Sequence, residues 1–208
     1  MTEQETLPDA SVEKLAHLLI VVTGSPSAAD TPTHLYVLRQ LYPDMEVQVV
    51  MTKSAQRFVT SSALAHRTGK PVHRDEWGEA DEALHVEVER WADAIAVFPA
   101  TLDYLSRVAG GRGDSPSVLA IQCTAKPVVF VPALPPGGSE SRAYRNHWEA
   151  LSAEANMAIV PPRAALSVTS GEIYQGAPGE IADVVKLIEA LRNQKRLIET
   201  ASRCRTRR

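Results

Sequence analysis

Apolar runs recur along this chain, and most are followed by a stretch with helical spacing. Ala16–Thr23 (AHLLIVVT) reads as the first central strand, Glu46–Thr52 (EVQVVMT) as the second strand, Asp93–Pro99 (DAIAVFP), which shows no alternation, as a buried strand of a parallel sheet, and Val128–Ala133 (VVFVPA) as a further core strand. A strand covered on both faces has no solvent side toward which to alternate. Helical spacing runs through Leu35, Leu38 and Leu41, and again through LDYLSRVAGG, which Thr101 opens and paired glycines close. SPSVLAIQCTA and YRNHWEALSAEA read as further helices. Glu180 to Ser202 reads as a terminal amphipathic helix with Ile181, Val184, Val185, Ile188 and Leu191 on one face. HVEVERW is a short amphipathic segment, Val72 a very short strand, MAIVPP a short strand, and LSVTSGEIYQGAPG a hairpin or flap around Gly171. Strands alternating with helices predict an α/β fold: a Rossmann-like or flavodoxin-like parallel sheet with helices on both faces. Residues 15–203 form its single domain, between a flexible leader (1–14) and a basic tail (204–208) that carries part of an arginine cluster beginning at Arg203.

Composition narrows the function classes. With 208 residues and 44% hydrophobic content, the chain can bury one sizeable core. A net charge of −3 gives no global basic field for nucleic acid or an acidic membrane surface. No apolar run reaches the ~20 residues of a membrane span, and MTEQETLPDA lacks the regions of a secretory signal. Cys123, at the edge of a core strand, and Cys204, in the tail, make an improbable disulfide, as expected in a reducing cytoplasm. His66 and His73 have no second ligand at helical spacing, so no metal site is expected.

Candidate chemistry gathers at strand ends. After the first strand, Gly24-Ser25-Pro26-Ser27-Ala28-Ala29 leads into a helix, an arrangement that presents backbone N–H groups and a positive helix end to a phosphate. Ser25 and Ser27 add hydroxyl donors. The absence of GxGxxG favours one phosphate over a dinucleotide pyrophosphate; an ordinary strand-to-helix turn is the alternative. After the second strand come Ser54 and Phe58, which also suit a helix N-cap and a core aromatic. His85 precedes the strand DAIAVFP, and Pro99, Ala100, Thr101 and Asp103 follow at its carboxyl end, where open α/β sheets place ligand crevices. Residues 134–147, LPPGGSESRAYRNH, form the longest irregular stretch, as lids do. The RGD at Arg112-Gly113-Asp114 reads as a turn after Gly110-Gly111, not as an adhesion signal.

These motifs resemble the homo-oligomeric flavin-containing cysteine decarboxylases, over roughly residues 16 to 190. The matching residues are His85, Trp91-Ala92-Asp93, Pro99-Ala100-Thr101-Leu102-Asp103-Tyr104, and Gly110-Gly111 followed by Asp114-Ser115. The resemblance implies flavin mononucleotide held by Gly24, Ser25, Ser27, Ser54, Phe58, Pro99, Ala100, Thr101 and Asp103. It implies His85 as the proton-handling group, because imidazole titrates near working pH. It also implies a homo-oligomer built from trimers (a trimer or a dodecamer of trimers), with the flavin between subunits. Substrate contacts fall to Pro132, Ala133 and Leu134.

Departures from the family pattern narrow the activity. Where relatives grip the substrate carboxylate with an Asn, this chain has Pro135, without side-chain amide or backbone N–H. Arg142 and Arg145 are the nearest replacements, through bidentate guanidinium–carboxylate bonds; solvated surface charge is their alternative role. Residues 165–172 contain no cysteine to serve as the proton donor of the coenzyme A branch. The expected partner is therefore the C-terminus of a precursor peptide, whose terminal cysteine is oxidatively decarboxylated to an enethiol. The lanthipeptide decarboxylases make aminovinyl-cysteine this way. The alternatives are a phosphopantothenoylcysteine decarboxylase-like enzyme and a catalytically inactive regulatory subunit. Flavin prenyl transfer is disfavoured by Asp30-Thr31-Pro32 at the first helix start.

Overall fold

The computed structural model describes residues 14–78, 83–166 and 171–205, with side chains as far as residue 200. The expected leader lies outside these residues except for Lys14, and of the expected tail Cys204 and Arg205 fall within them, at the end of the last helix. Six strands form one parallel sheet: β1 (His17–Val22), β2 (Glu46–Met51), β3 (Val72–Arg74), β4 (Ala94–Ala100), β5 (Val128–Pro132) and β6 (Met157–Ile159), in the order β3-β2-β1-β4-β5-β6. Leu18 pairs with both Val47 and Ala94, so β1 and β4 are central. The winding reverses between them, and in open α/β sheets such a reversal leaves a crevice outside the carboxyl ends of the strands.

Among the described residues, seven α-helices cover the sheet: α1 (Thr31–Leu41), α2 (Ser61–Thr68), α3 (Leu84–Trp91), α4 (Leu102–Ala109), α5 (Pro116–Cys123), α6 (Arg142–Ser152) and α7 (Ile181–Arg205). One face packs Leu18, Ile20, Val49 and Phe98 against Leu35, Leu38, Leu64, Val184 and Ile188. The other packs Leu19, Val21, Ile95, Val97 and Phe130 against Val88, Leu105, Val108, Ile121 and Leu151. Two covered faces are why β4 is buried at all seven positions and shows no period of two. A separate antiparallel hairpin, β7 (Arg163–Leu166) and β8 (Ile173–Ala177), spans Gly171 as expected; the intervening residues 167–170 lie outside the described ones.

The amphipathic segment HVEVERW is the body of helix α3. Two local expectations change. Cys123 closes α5 and is exposed, not at a strand edge. The irregular stretch after β5 ends at Ser141, whose side chain accepts the Tyr144 N–H at 3.1 Å and caps α6. Arg142 and Arg145 therefore belong to the first turn of a helix, where a capping hydroxyl satisfies an otherwise free N–H. No helix among the described residues is long and apolar enough to cross a membrane.

Candidate active site

A cleft of about 720 Å³ opens at the carboxyl ends of β1, β4 and β5, lined from three directions. The first wall is the loop after β1, with Gly24, Ser25, Ser27 and Asp30; the second is Thr101, Leu102 and Asp103 at the start of α4. Ala133 to Pro136 form the third, and Leu166, Tyr174 and Gly176 of the hairpin complete it.

Thr23, at the end of β1, joins the first two walls. Its hydroxyl donates to the Pro99 carbonyl at 2.7 Å and accepts the Thr101 N–H at 3.0 Å. Thr101 in turn caps α4, accepting the Tyr104 N–H at 3.3 Å. Pro99 and Ala100 are thus strand residues that hold the wall, and Ala100 is fully buried. The loop after β1 begins as a 3-10 turn over Pro26–Asp30 and not directly as α1. Its N–H groups at Ser25, Ser27 and Ala28 all bond within the loop. With these three N–H groups engaged, the Ser25 and Ser27 hydroxyls are further donors the loop can offer an anion.

Gly24 and Ser54, named separately as cofactor candidates, meet. A Cβ on Gly24 would lie 2.4 Å from both Cβ and Oγ of Ser54, so the two loops touch only because residue 24 has no side chain. Ser54 caps nothing with its side chain; its hydroxyl lies 3.1 Å from that of Thr52. Phe58 packs against the core, and neither Ser54 nor Phe58 lines the cleft itself.

The third wall is braced by the hairpin. The Leu134 N–H donates to the Gly176 carbonyl at 2.8 Å, and the Ser139 hydroxyl to the Gln175 carbonyl at 2.7 Å. A Cβ on Gly176 would lie 2.5 Å from the Leu134 carbonyl oxygen, so this approach also requires glycine. The Pro135–Gly138 segment turns at Gly137, whose φ of +75° suits glycine. The loop read from sequence as an unbraced lid is therefore fastened to β8. Pro132 is buried in β5, and Ala133 and Leu134 line the cleft. Arg142 and Arg145 do not; both are exposed, and Arg145 donates to the Glu140 carbonyl.

Among the described residues, the ionisable side chains lining the cleft are Asp30, Asp103 and Tyr174, with no cation among them. His34, one turn after Asp30, packs edge-on to Phe98 with ring centroids 4.7 Å apart. Burial lowers its pKa below the ordinary histidine value, opposed by the charges of Asp30 and Glu180. Thr23, Asp30, Tyr174 and Gly176 were not selected from sequence as site residues. Asp30 was visible at the first helix start; the hairpin residues carried only the signal of a flap.

His85 stands apart from this cleft. It occupies the first turn of α3, half-buried, with Nδ1 enclosed and without a hydrogen-bond partner among the described residues. Its ring packs T-shaped against Trp77, centroids 5.6 Å apart and planes at 72°. No group of three metal-ligating side chains occurs among the described residues.

A parallel sheet of this strand order, with a hydroxyl-lined, glycine-permitted cradle at its winding reversal, is the arrangement in which open α/β proteins bind nucleotides and phosphates. The Flavoprotein family matches residues 8–193, and the chain belongs to it; its cysteine decarboxylases are the proteins its motifs resemble. A cypemycin cysteine dehydrogenase (decarboxylating) from Streptomyces sp is 36% identical over 155 residues, covering 73% of this chain and 80% of that protein. The coenzyme A biosynthesis bifunctional protein CoaBC of Vibrio vulnificus is 35% identical over 139 residues, 66% of this chain but only 31% of that protein. Among solved structures, the cypemycin decarboxylase CypD superposes with a TM-score of 0.72 at 29% identity, covering 89% of this chain and 97% of CypD.

Proposed function

We propose that the protein is a flavin mononucleotide-dependent decarboxylase acting on the C-terminal cysteine of a ribosomally made precursor peptide. The observation that carries the reading is the convergence of Gly24, Ser25 and Ser27 with Thr101 and Asp103, and of both with Ala133 and Leu134, in one cleft. The likeness to the cypemycin enzyme, over most of both chains, supports the peptide branch over the coenzyme A branch. So does the lack of a cysteine in residues 165–172.

The cradle fits a single phosphate. Ser25, Ser27 and Thr101 offer hydroxyl donors, and the Gly24–Ser54 approach leaves that end of the cleft without a blocking side chain. A flavin held by these residues would supply the two-electron oxidation of the cysteine thiol to a thioaldehyde, whose thiocarbonyl, β to the carboxylate, would accept the electron pair as carbon dioxide leaves. The chain contributes position and proton handling. Ala133, Leu134 and Tyr174 enclose the peptide end and exclude water from it. His85 takes up and returns the proton.

His85 does not line the cleft of its own chain; on this reading the site is completed by a second copy's His85 in a homo-oligomer built from trimers. Purified protein that is yellow and releases carbon dioxide from cysteine-terminated peptides is the expected result. His85→Asn should keep fold and flavin and lose about 10²–10⁴-fold in turnover, the usual share of a general acid–base group, with His66→Asn and His73→Asn as controls. A colourless protein inert toward such peptides would instead favour a regulatory role.

A further inference from the structure

We propose that Trp77 is the positioning residue for His85, and that the main-chain carbonyl of Asp114, in the Arg-Gly-Asp turn, holds Trp77 in place. The inference rests on the reading of His85 as the proton-handling group. An imidazole that moves protons needs a set orientation, and a hydrogen bond to its second nitrogen normally supplies it. Here Nδ1 is buried without such a bond. The N-cap of α3, Ala83, makes no side-chain capping bond, so His85 sits in a helical turn with little local support. The remaining fixture described against the ring is the indole of Trp77, T-shaped at 5.6 Å. Aromatic pairs favour that geometry.

Trp77 is 52% exposed, so burial alone does not hold it. Two anchors do. Its indole N–H donates to the Asp114 carbonyl at 3.2 Å. Two residues earlier, Asp75 is only 7% exposed, and its carboxylate accepts the Ser115 hydroxyl and the Ser117 N–H, both at 2.8 Å. Asp114 is itself clamped, because Arg107 donates from Nε and Nη2 to its carboxylate at 3.0 and 2.8 Å and from Nη2 to the Ser115 hydroxyl at 2.7 Å. Arg107 lies on α4, the helix whose first turn forms a cleft wall. A polar network from Arg107 through Asp114 to Trp77, completed by the Trp77–His85 ring contact, thus ties the wall of a chain's own cleft to the histidine on α3.

The test uses the full-length, flavin-loaded protein and three variants: Trp77→Ala, Trp77→Phe and His85→Asn. Carbon-bound imidazole proton resonances of His85 are assigned by their loss in His85→Asn. Trp77→Ala should remove the indole's ring-current displacement and shift them toward ordinary histidine positions. It should lower kcat about ten- to a hundred-fold, the scale of a misplaced catalytic group, with KM within two-fold and flavin content, oligomeric size and Tm near wild type. Trp77→Phe retains a ring without the N–H and should recover part of both signals. Unchanged His85 resonances in Trp77→Ala overturn the proposal, as does wild-type kcat in that variant when His85→Asn is inactive. A fully active His85→Asn protein would instead remove the reading on which the proposal stands.

Discussion

Replacing Gly24 tests the cradle most directly. A Cβ there would lie 2.4 Å from Cβ and Oγ of Ser54 and 2.9 Å from its carbonyl carbon. Carbon atoms in ordinary contact are about 3.5–4.0 Å apart, so the loops must separate by about 1 Å. Neither is free to move. The Thr52 N–H donates to the Val22 carbonyl at 3.0 Å, and Thr23 is bonded to Pro99 and Thr101. Forcing a methyl into such a site costs about 1–3 kcal/mol, and each kcal/mol lowers Tm by about 2–4 °C in a domain of this size. Gly24→Ala should therefore melt about 2–12 °C lower and purify with less flavin, read from visible absorbance relative to protein; Gly24→Val should purify without flavin. Ser54→Gly deletes two of the three clashing atoms, so the double variant Gly24→Ala/Ser54→Gly should recover part of the loss, whereas Ser54→Ala, which keeps Cβ, should not. A Gly24→Ala protein with wild-type Tm and full flavin would refute the reasoning.

Two further outcomes follow from side-chain environments. Arg107 holds the Asp114 carboxyl below its usual pKa, while Asp114's hydrogen bond and charge raise Arg107 against the opposing effect of burial. A depressed folded pKa contributes stability above the unfolded value of about 3.9, lost as pH falls through the folded pKa. The urea midpoint of Arg107→Gln should thus lie below wild type at pH 7 and converge with it near pH 2; an equal gap at both pH values would exclude the ion pair as the cause. Arg142→Ala, Arg145→Ala and the double variant should leave KM unchanged for a free-acid peptide and for its C-terminal amide, because neither side chain lines the cleft of its own chain and Arg145 is engaged at the Glu140 carbonyl, provided a second copy does not bring them to the cleft as proposed for His85. A KM rise confined to the free acid would assign one of them to the peptide carboxylate.

Much of the architecture was legible along the chain because side-chain periodicity is a local property. Strands covered on both faces read as unbroken apolar runs, as β1, β4 and β5 do, and the amphipathic spacing of α1, α4 and α7 could be read without knowing their partners. Thr101 announced its helix, since a capping hydroxyl acts within three residues. Ser141 did the same for α6 but was hidden in a run of Pro, Gly and Ser, so the loop before it read as too long. Resemblance named Gly24 and Ser54 separately, but their meeting was not legible; nothing local brings residues thirty apart within a methyl's width. The strand order, the Leu134–Gly176 bond that closes the third wall, and the buried Asp75 belong to tertiary structure alone. The separation of His85 from its own chain's cleft belongs there as well. Backbone N–H and carbonyl groups are the same at every residue, so the sequence does not name which of them meet. That choice falls to the packing of helices on the two faces, which decides where each strand end and loop comes to rest.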